Sequence, residues 1–489
     1  MSLSIQLNRG DSRPIYLQIA SQIRNQISVG RLPPGTRLPS VRAMAQNLSI
    51  NRLTVHNAYS ELQADGWVES TVGRGTYVVE QAQAMTLLST LSSEFSPINV
   101  LQDLAPIKQI PTLRSMGTAE PDPSLAPVDE FWGAMMALRR EAATLMSYEI
   151  YQGDAKLRIE LTHVLAERGI AVMPDDIMVT SGAMHGLSLV TQVMTKPGDT
   201  VIIEEPTYLG LIHLLKMQGL RPIPVPLDTE GPRMDVLESV LKSESPRLMY
   251  TVPGFQNPTG LNMSPARRQE VLKMTRRYGV PVLEDDIYGV LAYDAPAPPA
   301  MRASDDNVIY VSSMSKMLMP GLRIGYVVAP PDITRKLLAA RLANDLYGVP
   351  FVQRALANFL HMGRLKAHLR RVMPIYSARR DAVLSALRRH MPAGVKWTEP
   401  EGGFCLWVEL PYNNMMAVYQ SALKHGLAFT PGAAFMSDTS SNRYMRLCFS
   451  TQPVEEMDAL IGLLADLIRA QGSRDQTMTH DAPIWAPMT

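Results

Sequence analysis

Between residues 177 and 312 the chain repeats one pattern that restricts its architecture more than any other feature. Five short apolar runs, Ile177 to Thr180, Thr200 to Ile203, Leu248 to Val252, Val280 to Glu284 and Val308 to Ser312, alternate with segments of helix length. Such alternation predicts a mostly parallel sheet covered by helices on both faces. In sheets of that kind ligands sit beyond the carboxyl ends of the strands. The sheet accounts for only part of 489 residues, and a chain of this length usually divides into about two to four domains. The sequence carries no internal repeat of solenoid or propeller period.

The first 79 residues differ from the rest in charge. They hold eight arginines, no lysine and four acids, with no acid between Ser12 and Ser60. A basic face is implied there, although the whole chain has a formal net charge of only +1. With 46% apolar and 19% charged residues, the composition is that of a globular protein and excludes a polyelectrolyte role for the chain as a whole.

Pro14 opens a segment in which Ile15, Ile19, Ile23 and Ile27 recur every four residues before Gly30. This is an amphipathic helix with proline at its start and glycine at its end. After the turn LPPGTRLP, Ser40 caps a short helix through Asn47, and Asn51 caps another that runs to Ala64 with Gly66 beyond it. Tyr59 and Leu62 fall on the face opposite the polar leading residues and are assigned to the core. From Trp67 to Val79 apolar and polar residues alternate about Val-Gly-Arg-Gly, a hairpin whose glycines allow positive backbone angles at the tip. Helix, short helix, recognition helix and two-stranded wing make a winged helix-turn-helix, whose second helix of the pair enters the major groove of DNA.

The strings PIYLQIASQI, LPPGTRLPSVRAMAQNLSINRLTVHNAYSELQADGW and GRGTYV, which span nearly all of residues 13 to 79, resemble the GntR family of regulators. The resemblance implies a double-stranded DNA operator as partner. Carried over by motif, it makes Arg42, Asn51, Arg52, Thr54, His56, Gly73 and Arg74 the DNA-contact candidates. Hydroxyl and amide groups at a helix N-terminus suit phosphate oxygens, and arginine can pair bidentately with guanine edges.

The stretch SSMSKMLMPGLRIGY, residues 312 to 326, places Lys316 on a turn after a buried strand, among hydroxyls and ahead of Pro-Gly-Leu-Arg. A lysine so placed can form an imine with an aldehyde cofactor, while Ser313 and Arg323 donate to the cofactor's phosphate. VPVLEDDIY, residues 280 to 288, is an apolar strand that ends in carboxylates. Asp285 can pair with a pyridinium nitrogen and keep it protonated, Tyr288 can approach the phenolic oxygen, and Asp286 is assigned to the surface or a cap. GFQNPTG, residues 254 to 260, sets Asn257 in a proline-stiffened turn, suited to donate to the same oxygen. Thr180-Ser181-Gly182-Ala183 passes from strand to helix, so the N–H groups of Ser181, Gly182 and Ala183 face an anion at a positive helix end.

With these elements together, residues 110 to 470 resemble a class I aminotransferase of pyridoxal phosphate (PLP) fold type I, an α/β fold. The resemblance implies PLP as cofactor, Lys316 as the Schiff-base lysine, and Asp285, Tyr288 and Asn257 around the ring. It puts Tyr208, in EEPTY, against the ring face. Tyr148, in YEIYQGDAKLR, is assigned to the phosphate of the neighbouring subunit, so a homodimer is implied. Arg446, in YMRLCFS, is assigned to a bidentate grip on the α-carboxylate of an amino acid. The order of the two modules resembles the MocR/GabR subfamily of GntR regulators. The expected domains are a winged helix-turn-helix at 1–79, a linker at 80–109 rich in Gln, Ser, Thr and Leu, the PLP-binding domain at 110–470 and a flexible tail at 471–489.

Two functions fit. In one, an amino acid, an amine or PLP itself is the effector of a transcription regulator; in the other, an aminotransferase carries a DNA-binding head. Fusion favours the regulator, because such a head has no use in bulk metabolism, and weak transamination is compatible with it. Cys405 and Cys448 are the only cysteines, too few for a disulfide framework or a four-cysteine metal site, which fits a reducing compartment. The start lacks the apolar core of a signal peptide and no run reaches the ~20 apolar residues of a membrane span. The expectation is a cytoplasmic protein with no metal and no membrane partner.

Overall fold

The computed structural model describes residues 5, 7, 13–28, 31–64, 67–71, 75–79, 113–147, 151–438 and 442–472. The expected linker, nearly all of the expected tail, and Gly30, Gly66, Gly73, Arg74 and Tyr148 lie outside the described residues. The chain falls into two compact units, one built on the N-terminal head and the other on most of the residues from Ser115 onward.

The head comprises α1 (Ile15–Ser28), α2 (Val41–Leu48), α3 (Arg52–Ala64) and the strands β1 (Val68–Thr71) and β2 (Gly75–Val78). Ile19, Ile23 and Ile27 are fully buried in one core with Val55, Ala58, Tyr59 and Leu62, so the four-residue spacing of the isoleucines is the seam between α1 and α3. Ser40 accepts the Ala43 N–H at 3.2 Å, and α2 ends on Ser49 in the left-handed conformation. Asn51 Oδ1 accepts the Leu53 N–H at 2.9 Å, as a capping side chain does. The two strands pair antiparallel, from Val68 opposite Val78 to Thr71 opposite Gly75. This is the winged helix-turn-helix expected from the sequence.

The second unit is organised on eight strands: β3 (Ile177–Thr180), β4 (Thr200–Glu205), β5 (Arg221–Asp228), β6 (Gly231–Pro232), β7 (Leu248–Thr251), β8 (Val282–Asp285), β9 (Ile309–Ser313) and β10 (Gly325–Val328). Their order is β3-β10-β9-β8-β7-β4-β5-β6. The pairings β9/β8, β8/β7, β7/β4 and β4/β5 are parallel, whereas β10 is antiparallel to both its neighbours. All five runs read from the sequence are strands of this sheet, and β5, β6 and β10 are additional. Both faces are covered. Val201 and Ile203 join a cluster with Leu187, Leu211 and Leu215, while Ile202 between them joins Leu237 and Val271. Strand side chains alternate between faces, so helices lie on both.

A smaller antiparallel sheet follows, β11 (Lys396–Trp397), β12 (Cys405–Glu409), β13 (Thr430–Pro431) and β14 (Tyr444–Cys448), in the order β11-β12-β14-β13. Its register sets Cys405 opposite Cys448 and Trp407 opposite Arg446. Among the described residues no helix is long and apolar enough to cross a membrane.

Candidate functional site

The carboxyl ends of β8 and β9, the turn after β3 and the loops after β4 and β7 open on one cavity. Ala183, Tyr208, Asn257, Asp285, Tyr288, Ser313, Lys316 and Arg323 all line it. Eight residues singled out from five motifs, spread over 141 positions from Ala183 to Arg323, are thus gathered by the sheet topology. Parallel strands align their carboxyl ends, so each following turn delivers a side chain to the same edge.

Asp285 ends β8 and is buried. Its Oδ2 accepts a hydrogen bond from the Tyr250 hydroxyl at 2.8 Å, and its Oδ1 has no partner among the described residues. Burial pushes its pKa up to about 7, Asp286 adds to the rise, and the Tyr250 hydrogen bond and the Lys316 charge act against it. The Tyr288 hydroxyl is likewise buried without a partner among the described residues, and burial holds that phenol neutral, well above its usual range. A bare carboxylate oxygen and a bare phenol on one cavity wall are costly unless something polar meets them. Lys316 Nζ donates to the Ala119 carbonyl at 2.7 Å.

Ahead of the helix Ala183–Met194, Gly182 takes a backbone conformation that side chains rarely adopt, and the Arg323 guanidinium lies against it. A Cβ on Gly182, whose φ is +92°, would come within 2.6 Å of Arg323 Nη2. Arg323 donates to the Ser181 carbonyl at 3.0 Å. Ser181 is more heavily engaged than its motif suggests. Its N–H donates to His185 Nδ1 at 3.2 Å and its hydroxyl donates to Asp345 at 3.4 Å. Burial lowers the His185 pKa, with Arg341 acting in the same sense and Asp345 opposing it, consistent with a neutral imidazole accepting there. Ala183 and Arg323 therefore face the cavity, while Ser181 and Gly182 stand behind them. The Ser313 hydroxyl is shared with Ser315 Oγ at 2.8 Å and the Ile324 carbonyl at 3.2 Å.

Arg446, on β14, is buried and spans toward the same region. Its Nη1 donates to Asn257 Oδ1 at 2.9 Å, its Nη2 to the Gly117 carbonyl at 2.5 Å and Thr430 Oγ1 at 3.2 Å, and the guanidinium lies 4.7 Å from the Phe435 ring centroid. The bond to Asn257 leaves that side chain's NH₂ group to donate into the cavity.

One assignment is corrected. Asp286 is neither surface nor cap: it is 2% exposed, paired with Arg168 at 2.7 Å and with the Tyr310 hydroxyl at 3.0 Å. Adjacent strand residues point to opposite faces, so Asp285 turns to the cavity and Asp286 to a buried pair. Tyr250 and the segment around Gly117 and Ala119 were missed. Neither sits in a motif, and each acquires its contact only through long-range packing.

In the head, Arg42, Asn51, Arg52 and His56 are exposed and Thr54 is half-buried. All five lie at the start of α2 or in and just before the first turns of α3. Asn51 is already occupied as a cap, and His56 Nδ1 lies 3.4 Å from Ser60 Oγ.

Residues 15–78 match the family of bacterial regulatory proteins called gntR, and residues 116–464 match aminotransferase class I and II. The chain is 30% identical over 473 residues to the HTH-type transcriptional regulator YdfD of Bacillus subtilis, covering 94% of this chain and 98% of that one. It is 28% identical to a probable rhizopine catabolism regulatory protein, MocR, of Rhizobium meliloti, with 82% of each chain covered. Among solved structures it resembles LysN, the alpha-aminoadipate aminotransferase of Thermus thermophilus, complexed with N-(5'-phosphopyridoxyl)-L-leucine. The TM-score is 0.72 at 30% identity, over 80% of this chain and 98% of that one. Because the likeness to an HTH-type regulator runs through both units and the larger unit alone has the enzyme fold, the chain belongs to the aminotransferase class I and II family, within the group of GntR-type regulators that join such a domain to a DNA-binding head.

Proposed function

We propose that the chain is a PLP-dependent, sequence-specific transcription regulator. Residues 1–79 bind double-stranded operator DNA, 80–109 form a linker, 110–470 hold PLP and sense an amino acid or amine, and 471–489 form a tail. One observation carries this reading: a DNA-binding head shares its chain with a cavity where the Lys316 amine, the bare Asp285 Oδ1 and the bare Tyr288 hydroxyl are gathered.

Those groups fit PLP. Lys316 would hold its aldehyde carbon, Asp285 its ring nitrogen, Tyr288 and Asn257 its phenolic oxygen, and Tyr208 its ring face. Ala183 and Arg323 would hold its phosphate, with Ser181, Gly182 and Ser313 shaping that cup, and Arg446 would take the α-carboxylate of the effector. Bound there, PLP supplies an electron sink conjugated to an amino group.

A homodimer is part of the proposal. Tyr151, Leu342, Leu346 and Val349 are exposed apolar side chains that a second copy would cover while offering its Tyr148 to the phosphate. In the head, Arg42, Asn51, Arg52, Thr54, His56, Gly73 and Arg74 are the proposed DNA contacts. The cytoplasm is the proposed location.

The visible absorbance of the purified protein, with and without Lys316→Ala, tests the cofactor assignment. The unsubstituted protein should bind PLP through a link that borohydride fixes, and the variant should not. A variant that keeps a reducible link to PLP would sink the role of Lys316. The same intact residues support a second reading, a transaminase carrying a DNA-binding head. Rapid multiple turnover with no effect of any ligand on DNA affinity would establish it.

A further inference from the structure

Arg446 is not idle in this structure, and the group it holds belongs to a short strap of main chain. Residues 115–120 are fixed through their carbonyls: Gln452 Nε2 donates to Ser115 O at 2.9 Å, the Cys448 N–H to Met116 O at 2.7 Å, Thr430 Oγ1 to Gly117 O at 2.6 Å, and Ser450 Oγ to Glu120 O at 2.5 Å. Lys316 and Arg446 hold two of these carbonyls, those of Ala119 and Gly117. The strap thus meets two cationic groups of the site, Lys316 and Arg446.

The geometry of a guanidinium makes the Gly117 contact consequential. Arginine grips a carboxylate bidentately through one of two forks, Nη1 with Nη2 or Nε with Nη2, and both include Nη2. Nη2 of Arg446 is turned to Gly117 O and Thr430 Oγ1, whereas Nε is buried with no partner among the described residues. A carboxylate on either fork would meet the Gly117 carbonyl, acceptor against acceptor. It can complete the fork only by displacing that carbonyl, and a charge-assisted bond to an ionised acceptor is stronger than one to a neutral amide oxygen. A simple amine has no acceptor to put in the carbonyl's place.

We infer that the strap is the specificity element of the effector site: it makes ligands that carry a carboxylate beside the amine, α-amino acids above all, the only ones that release Gly117 from Arg446, and plain amines leave it in place. This rests on the proposed reading of Lys316 and Arg446. The Thr118 hydroxyl, buried and without a partner among the described residues, is a further polar group on the strap that rearrangement could satisfy.

The test uses the full-length, PLP-loaded protein, with each L-amino acid and its decarboxylated amine as probes. Cofactor absorbance reports binding, and hydrogen–deuterium exchange of residues 115–120 and of the Cys448 amide reports the strap. An amino acid that changes the absorbance should also raise exchange at these sites, and its amine should change the absorbance without raising exchange. Thr430→Val, which removes one of the two donors to Gly117 O, should lower the half-saturating amino-acid concentration by roughly two- to tenfold, the range of one neutral hydrogen bond. Absorbance changes with unaltered exchange, or equal exchange with amino acid and amine, would overturn the strap while leaving the proposed function standing. No absorbance change with any amino acid would overturn that function and the strap together.

Discussion

Asp285 has one oxygen bound to the Tyr250 hydroxyl and the other bare, in a setting that raises its pKa to about 7. The folded chain without cofactor therefore keeps a proton here over a range in which the unfolded chain, with an ordinary carboxyl near ~3.9, has lost it. A group whose folded pKa is raised contributes stability that is complete below the unfolded value and is lost as pH rises through the folded one. Glu284, likewise raised to about 7 by burial and by Asp286, acts in the same direction. Asp285→Asn in PLP-stripped protein should accordingly gain stability relative to the unsubstituted chain as pH rises from about 5 to about 8, read from denaturant midpoints at each pH. With PLP bound, the ring cation should lower the Asp285 pKa and the difference should reverse, because asparagine cannot neutralise the ring. A pH-independent difference would show that Asp285 does not titrate in this window. Lys316, Asp285 and Asn257 were legible because each lies in a local motif at a strand end. Tyr250 was not, because its part depends on packing against a residue 35 positions away. The partner of Asp286, Arg168, is 118 positions away and left no trace near it.

At the scale of elements, patterning read strands buried on both faces and missed those whose composition argues against a sheet. β5 has the sequence RPIPVPLD, and prolines within a run normally exclude a strand from a sheet interior. Its three prolines share one parity, so every missing N–H points to the same edge. Ile223, Val225 and Leu227 keep theirs toward the other edge, where β5 runs parallel to β4, and the proline edge carries only the short pairing with β6. β10 was missed for a different reason: it follows the lysine turn so closely that its residues were absorbed into that motif. The described elements of the head were legible because caps and periodicity both report on short range. There α3 offers the cleanest probe. Asn51 caps the helix as well as facing outward, so its replacement would mix stability with recognition, whereas Arg52 is exposed and should cost the fold little. Arg52→Ala should weaken operator binding without altering PLP content. If the contact is to phosphate, affinity should fall across all sequences and the salt slope should drop by about one unit; if it is to a base, specificity should relax at one position at a cost of ~1–3 kcal/mol. Unchanged affinity would remove Arg52 from the interface.

For the whole molecule the question is whether two units that each resemble something complete work as one. A regulator requires a ligand that binds the two DNA-affinity states unequally, since equal affinity shifts no equilibrium. Linkage then demands reciprocity: if an amino acid changes operator affinity by some factor, operator must change amino-acid affinity by the same factor, with couplings typically ~1–3 kcal/mol, or roughly 5- to 150-fold. Operator binding should therefore differ among the PLP-free, PLP-bound and PLP-plus-amino-acid forms, and titration of amino acid with and without operator should return the same factor. Arg446→Ala separates the parts of the argument. It removes the proposed carboxylate grip and the hold on Gly117 at once but leaves Lys316, Asp285 and Tyr288 in place, so the variant should bind PLP and DNA normally and lose the amino-acid effect on DNA. If it loses PLP as well, Arg446 is structural through its bond to Asn257, and the carboxylate role fails. If the variant and the unsubstituted protein bind DNA identically in every ligand state, the units are independent, and the DNA-binding head only locates an enzyme.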